Sequence, residues 1–306
     1  MPGWPGPALI VAGALLAAGA LAAGAMVAAG SLRVANSGGL VALGVVGVVA
    51  FTAGIVYVAI HQIRVRRFLP PERYRGPSIL ALVALTLVLA NVISLPFAED
   101  AAALVVGVGE MSTLGTIVLL VSTQAALLFV SWAFVRLPRA LAGLPRFPGA
   151  DVGRSVRLGV LWGIGAWIGA SLIANAVVLF LESLGIEPEP AAAEQALAML
   201  DPWLIVVPIV ILAPIAEETF FRGVVFNALR REATRRWAYL GSALLFGVIH
   251  LSPVTLLPIF LLGLVLARVY ERTGSLLAPM VLHATFNGLS VVIALLVRYD
   301  VLSLPV

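Results

Sequence analysis

Three small clusters of polar side chains interrupt the last third of a strongly apolar sequence. Residues 216–223 read AEETFFRG and carry Glu217, Glu218 and Arg222. The stretch FGVIH ends in His250, with Phe246 four residues before it. The stretch HATFN holds His283 and Asn287, again four apart. Residues four apart share a helix face. Glu218 can therefore pair with Arg222, which leaves Glu217 about a hundred degrees round the helix without a local partner. Ionisable groups are costly in hydrocarbon and normally face a cavity or a partner.

A carboxylate, two imidazoles and an amide suit the activation of water with stabilisation of an oxyanion. A glutamate in an apolar setting can act as a general base near neutrality. A histidine can help hold or deprotonate the water. An Asn amide and a second histidine can donate to a tetrahedral oxyanion. The same set, Glu217, His250 and His283, could instead hold one divalent ion such as zinc with a position left open for water. The residues alone leave both chemistries open. They also allow blander roles: a Glu218–Arg222 clasp, hydrogen-bonded packing histidines, a packing amide at Asn287 and a wall residue at Phe246. Other intramembrane protease patterns are missing. None of the three histidines is followed by Glu, and neither Gly-x-Ser-Gly nor Gly-x-Gly-Asp occurs.

The elements that must position these groups are membrane helices. The 306-residue chain is 61% hydrophobic and only 11% charged, with a mean hydropathy of +1.09. A soluble domain carries about a quarter charged residues. There is no cysteine, so disulfides, thiolate metal sites and cysteine nucleophiles are excluded. There is no lysine either, and the net charge of +4 rests on arginine. A bilayer core of about 30 Å needs roughly 20 apolar helical residues. The sequence predicts an all-α, polytopic helix bundle of about nine spans around a central membrane-embedded polar cavity. The spans fall near 8–30, 39–60, 78–98, 112–135, 156–181, 201–228, 237–250, 254–270 and 275–297. The first is an Ala/Gly run whose leader MPGWPGP lacks basic residues, which argues against a cleaved signal peptide.

Most of the arginines sit in alternate loops, at 61–76, 136–157, 230–236 and 268–274, with Arg33 and Arg298 as minor exceptions. The loops between them, 98–110 and 182–195, are acidic or neutral. This bias predicts a multi-pass protein of the cell membrane with a cytoplasmic N-terminus and an external C-terminus. The basic charge then faces the bilayer surface, and no nucleic-acid partner is expected. The Pro/Arg-rich loop near 136–157 divides a four-helix region, 1–150, from a second region, 151–306. Counted from the basic loops, Glu217, His250 and His283 lie at similar depths of roughly 12–20 Å. Pro214 removes a backbone donor just before the carboxylates. Glycines 241, 247, 263, 274 and 288 would allow close helix packing.

Read as EExxxR, FxxxH and HxxxN, in that order and in consecutive helices, these motifs resemble those of the CAAX-protease and bacteriocin-processing (CPBP) family. That family comprises the type II CAAX prenyl endopeptidases and Abi-like membrane proteases. The resemblance covers roughly 155–297. It implies a bacterial glutamate-dependent intramembrane endopeptidase acting on a membrane-associated peptide or protein. It further implies Glu217 as the water-activating base with His250 assisting, His283 and Asn287 as oxyanion donors, and Glu218 and Arg222 as shaping groups. Members have been called metalloproteases, yet a metal-free mechanism suits these residues, and no obligatory cofactor is expected. Two other functions fit the composition: a non-catalytic membrane scaffold or immunity protein, and a proton-coupled transporter. A transporter would spread polar groups along a path, whereas here they gather at one level.

Overall fold

The computed structural model describes residues 37–97, 112–136, 139–141, 151–186, 204, 206–250, 252–299 and 301–302. The expected span at 8–30, the acidic loop 98–110 and residues 187–203 lie outside the described residues. Among the described residues the chain is helical, with no strand. Four helices lie in the first part: α1 (Ser37–Arg66), α2 (Ile79–Ser94), α3 (Thr113–Ser131) and α4 (Val152–Ser183). An interrupted helix, α5, follows as Val207–Leu212, Ala213–Glu218, Thr219–Phe226 and Asn227–Glu232. Then come α6 (Arg235–Val248), α7 (Pro253–Thr273) and α8 (Leu277–Arg298).

Local chemistry sets the starts. Ser78, Ser112, Asp151 and Ser252 each accept a hydrogen bond from a backbone N–H three residues on, at the heads of α2, α3, α4 and α7. Proline at the first position of α7 has no N–H to lose there. Gly274 ends α7 with φ of 61°, a left-handed cap that a side chain would disfavour. Its role is conformational, since a Cβ there would meet open space.

Among the described residues, six helices are long and apolar enough to cross a membrane: Val46–Arg66, Ile79–Phe97, Thr113–Arg136, Val152–Ser183, Val254–Thr273 and Leu277–Arg298. Two expected spans are built differently. The sixth is α5, broken by two π-helical stretches. The seventh is α6, with 14 residues, or about 21 Å of rise, less than the roughly 30 Å hydrocarbon core.

The helix that carries His283 and Asn287 is held against α4 at very short range. A Cβ on Gly159 would stand 2.7 Å from Val281 Cβ, and one on Gly163 would stand 2.7 Å from Thr285 Cβ. These two glycines, four apart on one face, let α4 and α8 touch backbone to side chain. Trp167 adds a hydrogen bond from Nε1 to Ser290 Oγ. At Gly263 of α7, a Cβ would lie 3.0 Å from Ala243 Cα of α6, so this helix pair is also close.

One apolar cluster contains Ile55, Leu82 and Leu127 together with Phe220, Phe246 and Leu282, so the core runs through both sides of the 136–157 segment. The basic loops gather at one end of the bundle. Arg75 N–H donates to Ala140 O, Arg66 pairs with Glu232 at 3.7 Å, and Arg235 pairs with Glu271 through Nε at 3.1 Å. Arg230 and Arg268 also face Glu271, each at 3.6 Å.

Candidate active site

The site begins with a defect in α5. The N–H of Ala213 reaches Pro208 O, five residues back. Ile209 O thereby loses its ordinary donor, and the next one along would be residue 214, a proline without N–H. Asn287 Nδ2 of α8 donates to this orphaned carbonyl at 2.9 Å. The second π stretch is handled in the same way. Asn227 Nδ2 donates to Arg222 O at 2.7 Å and Gly223 O at 3.1 Å, and reaches Tyr270 OH at 2.7 Å. Side-chain amides thus satisfy carbonyls that the widened helix leaves open.

Between these two stretches sit the carboxylates. Glu218 and Arg222 are both fully buried and form the pair expected from their spacing, with Arg222 Nη1 donating to Glu218 Oε1 at 3.0 Å. Arg222 Nη2 donates to Gly263 O at 2.9 Å, which ties α5 to α7. The guanidinium also lies over the Phe246 ring, 4.5 Å from its centre. His283 Nδ1 stands 3.0 Å from Glu218 Oε1. Because that oxygen accepts, Nδ1 carries the proton, and Nε2 faces Glu217 Oε2 at 4.0 Å. Glu217 keeps 12% of its side chain exposed.

Three atoms here are buried without a hydrogen-bond partner among the described residues: Glu217 Oε2, Glu218 Oε2 and Arg222 Nε. Unpartnered buried polar atoms are few in native proteins and call for an explanation. Glu217 Oε2 is the one among them that also faces a histidine.

Glu217, Glu218, Arg222, Phe246 and His283 therefore meet, and of the three groups that the depth count places together, Glu217 and His283 face each other. Phe246 is more than a wall, because its ring touches Arg222, His283 at 5.7 Å and His250 at 5.1 Å. His250 sits apart from the carboxylates. It is exposed just beyond the end of α6, and its Nδ1 donates to Phe246 O at 2.7 Å. No hydrogen bond or ion pair joins it to Glu217 among the described residues. The same hydrogen-bond logic places a proton on Nδ1 of both histidines and leaves Nε2 outside that bond. Asn287 already commits one amide proton to Ile209 and keeps a second.

Glu217, His250 and His283 do not fit a metal centre in this arrangement. Among the described residues, no group of three such side chains is close enough to hold an ion. Gly263, Asn227 and Ile209 were not among the residues expected at the site. Asn227 and Ile209 matter only through the π widening of α5, and Gly263, expected to allow close helix packing, also acts through its backbone oxygen.

Comparison with known proteins agrees with the motifs. Residues 199–289 match the family described as type II CAAX prenyl endopeptidase Rce1-like. The chain is 33% identical over 179 residues to an "Uncharacterized 24.3 kDa protein" of Escherichia coli, covering 55% of this chain and 78% of that one. It is 29% identical over 144 residues to "Putative membrane peptidase YdiL" of Bacillus subtilis (strain 168). That match covers 46% of this chain and 59% of YdiL, so the chain spans little more than half of that relative. No solved structure matches. The polar cluster at membrane depth, the three motifs that build it and these relatives converge: the chain belongs to the Rce1-like type II CAAX prenyl endopeptidase (CPBP) family.

Proposed function

We infer that the protein is an intramembrane endopeptidase that hydrolyses a peptide bond of a membrane-associated peptide or protein, with Glu217 as the general base. The observation that carries this reading is Glu217 Oε2, buried without a hydrogen-bond partner and facing His283 Nε2 at 4.0 Å. The form with Glu217 ionised and His283 doubly protonated balances two negative charges, Glu217 and Glu218, against two positive ones, Arg222 and His283. Charges taken from water need such pairing. In that form Glu217 can accept a proton and His283 Nε2 can donate one.

The reaction then runs as follows. Glu217 Oε2 takes a proton from water as the water oxygen bonds to the scissile carbonyl carbon. The oxyanion accepts hydrogen bonds from His283 Nε2–H and from the second amide proton of Asn287. Glu217 passes the proton to the leaving nitrogen as the C–N bond breaks. His250, through Nε2, helps to hold the water. Phe246 and Arg222 fix the floor. The basic end of the bundle lies in the cytoplasm of a multi-pass cell-membrane protein.

Turnover of a membrane-peptide library by purified protein tests the reading. Glu217→Gln keeps the shape, removes the base and should abolish cleavage, with little change in thermal stability in detergent. Near-normal cleavage by this variant would sink the proposal. The proposed mechanism uses no metal ion. Activity should therefore survive chelation. Loss on chelation, with restoration by zinc bound at about one ion per chain, would overturn that part.

A further inference from the structure

We propose that the groove between the start of α4 and the end of α7 is a binding site for one anionic phospholipid. The cavity there is about 350 Å³ and is lined by Arg154, Leu158, Trp162, Val269, Arg272 and Thr273. Arg154, Leu158 and Trp162 are spaced four apart and line one face of α4. Val269, Arg272 and Thr273 line the facing side of α7.

Polarity changes along the groove in the order of a lipid molecule. Both arginines sit at the basic end of the bundle. Leu158 and Trp162 continue from there along α4, and Trp162 lies about 12 Å further into the bilayer than Arg154. Headgroup charge, interfacial indole and acyl surface therefore follow in sequence. The two guanidinium groups have no hydrogen-bond or ion-pair partner among the described residues, and both are exposed. The nearby acids are engaged elsewhere. Asp151 caps α4 by accepting from Arg154 N–H, and Glu271 faces Arg230, Arg235 and Arg268. Thr273 Oγ1 donates back to Val269 O at 2.8 Å, so the hydroxyl proton is taken as well. Two cations without a partner among the described residues, at the head of a groove that continues past Leu158 and Trp162 between membrane helices, complement a phosphodiester that carries acyl chains. The site lies apart from Glu217 and does not depend on the peptidase reading.

Two arginines near an anionic headgroup account for a preference of roughly thirtyfold. Native mass spectrometry of the full chain should retain phosphatidylglycerol over phosphatidylcholine by a factor of this order. Arg154→Gln with Arg272→Gln should bring the ratio close to one. Arg64→Gln with Arg236→Gln removes the same charge elsewhere on the basic end and should leave the ratio high. Brominated acyl chains on phosphatidylglycerol should quench the part of the fluorescence that Trp162→Phe removes. Glycerol phosphate should not compete at concentrations that match the lipid. Equal loss in both double variants would overturn the site in favour of diffuse surface attraction. Full competition by glycerol phosphate would overturn the lipid assignment, as would unquenched Trp162.

Discussion

At the scale of single residues, the two adjacent glutamates do different work. Glu218 is the inner one, clamped by Arg222 on its own helix and bonded to His283 across the bundle. Glu218→Ala would strand a buried guanidinium and should cost about 3–5 kcal/mol, read as a lower unfolding temperature in detergent. Glu218→Gln with Arg222→Met removes both charges and should recover much of that stability. It should not recover cleavage, because His283 loses the acceptor that orients it. Full stability of Glu218→Ala with no activity would instead move the general base to Glu218. The motif spacing made this pairing legible, since an i,i+4 relation survives in any helix. The contact of Glu218 with His283 was not legible, because it depends on how two distant helices are rotated. The same holds for His250. Its spacing from Phe246 was plain, while its separation from Glu217 comes from its place beyond the end of α6.

At the scale of elements, α5 is the unusual part. The apolar run foretold a long span, and Pro214 foretold a lost backbone donor just before the carboxylates. It could not foretell π widening, because a segment apolar on every side reads alike in either register. Asn287 is then a clasp on α5 as well as a proposed donor to the oxyanion. Asn287→Ala leaves Ile209 O open and should cost about 1–3 kcal/mol of stability. Pro214→Ala supplies an N–H at the missing position. In that background the cost of Asn287→Ala should fall well below its value in the native helix, measured by a thermal double-variant cycle. An unchanged cost would mean that Asn287 does not serve the proline defect. Cleavage should stay lost in the double variant, since no new donor reaches the substrate. The close α4–α8 seam at Gly159 and Gly163 lay outside the glycines expected to matter, because in an Ala/Gly-rich chain small residues are too common to single out a seam.

At the scale of the whole molecule, alternating loop charge predicted which ends of the helices would lie together, and Arg66, Arg75 and Arg235 do meet partners from other basic loops. The side of the membrane is testable because the chain has no native cysteine. A single cysteine placed within 182–200 should react with an impermeant thiol reagent added to intact cells, and one within 230–236 should not. The reverse labelling would invert the proposed orientation. The short α6 has a further consequence. A helix of about 21 Å in a bilayer core of about 30 Å is a hydrophobic mismatch. Thinning of the lipid is one answer to a short helix, and α6 ends two residues before His250. A protease in oil lacks one of its two reactants. On the proposed reading, thinning there would bring bulk water down towards Glu217 without any gate having to move, and the thickness of the host membrane would become a setting on the supply of water.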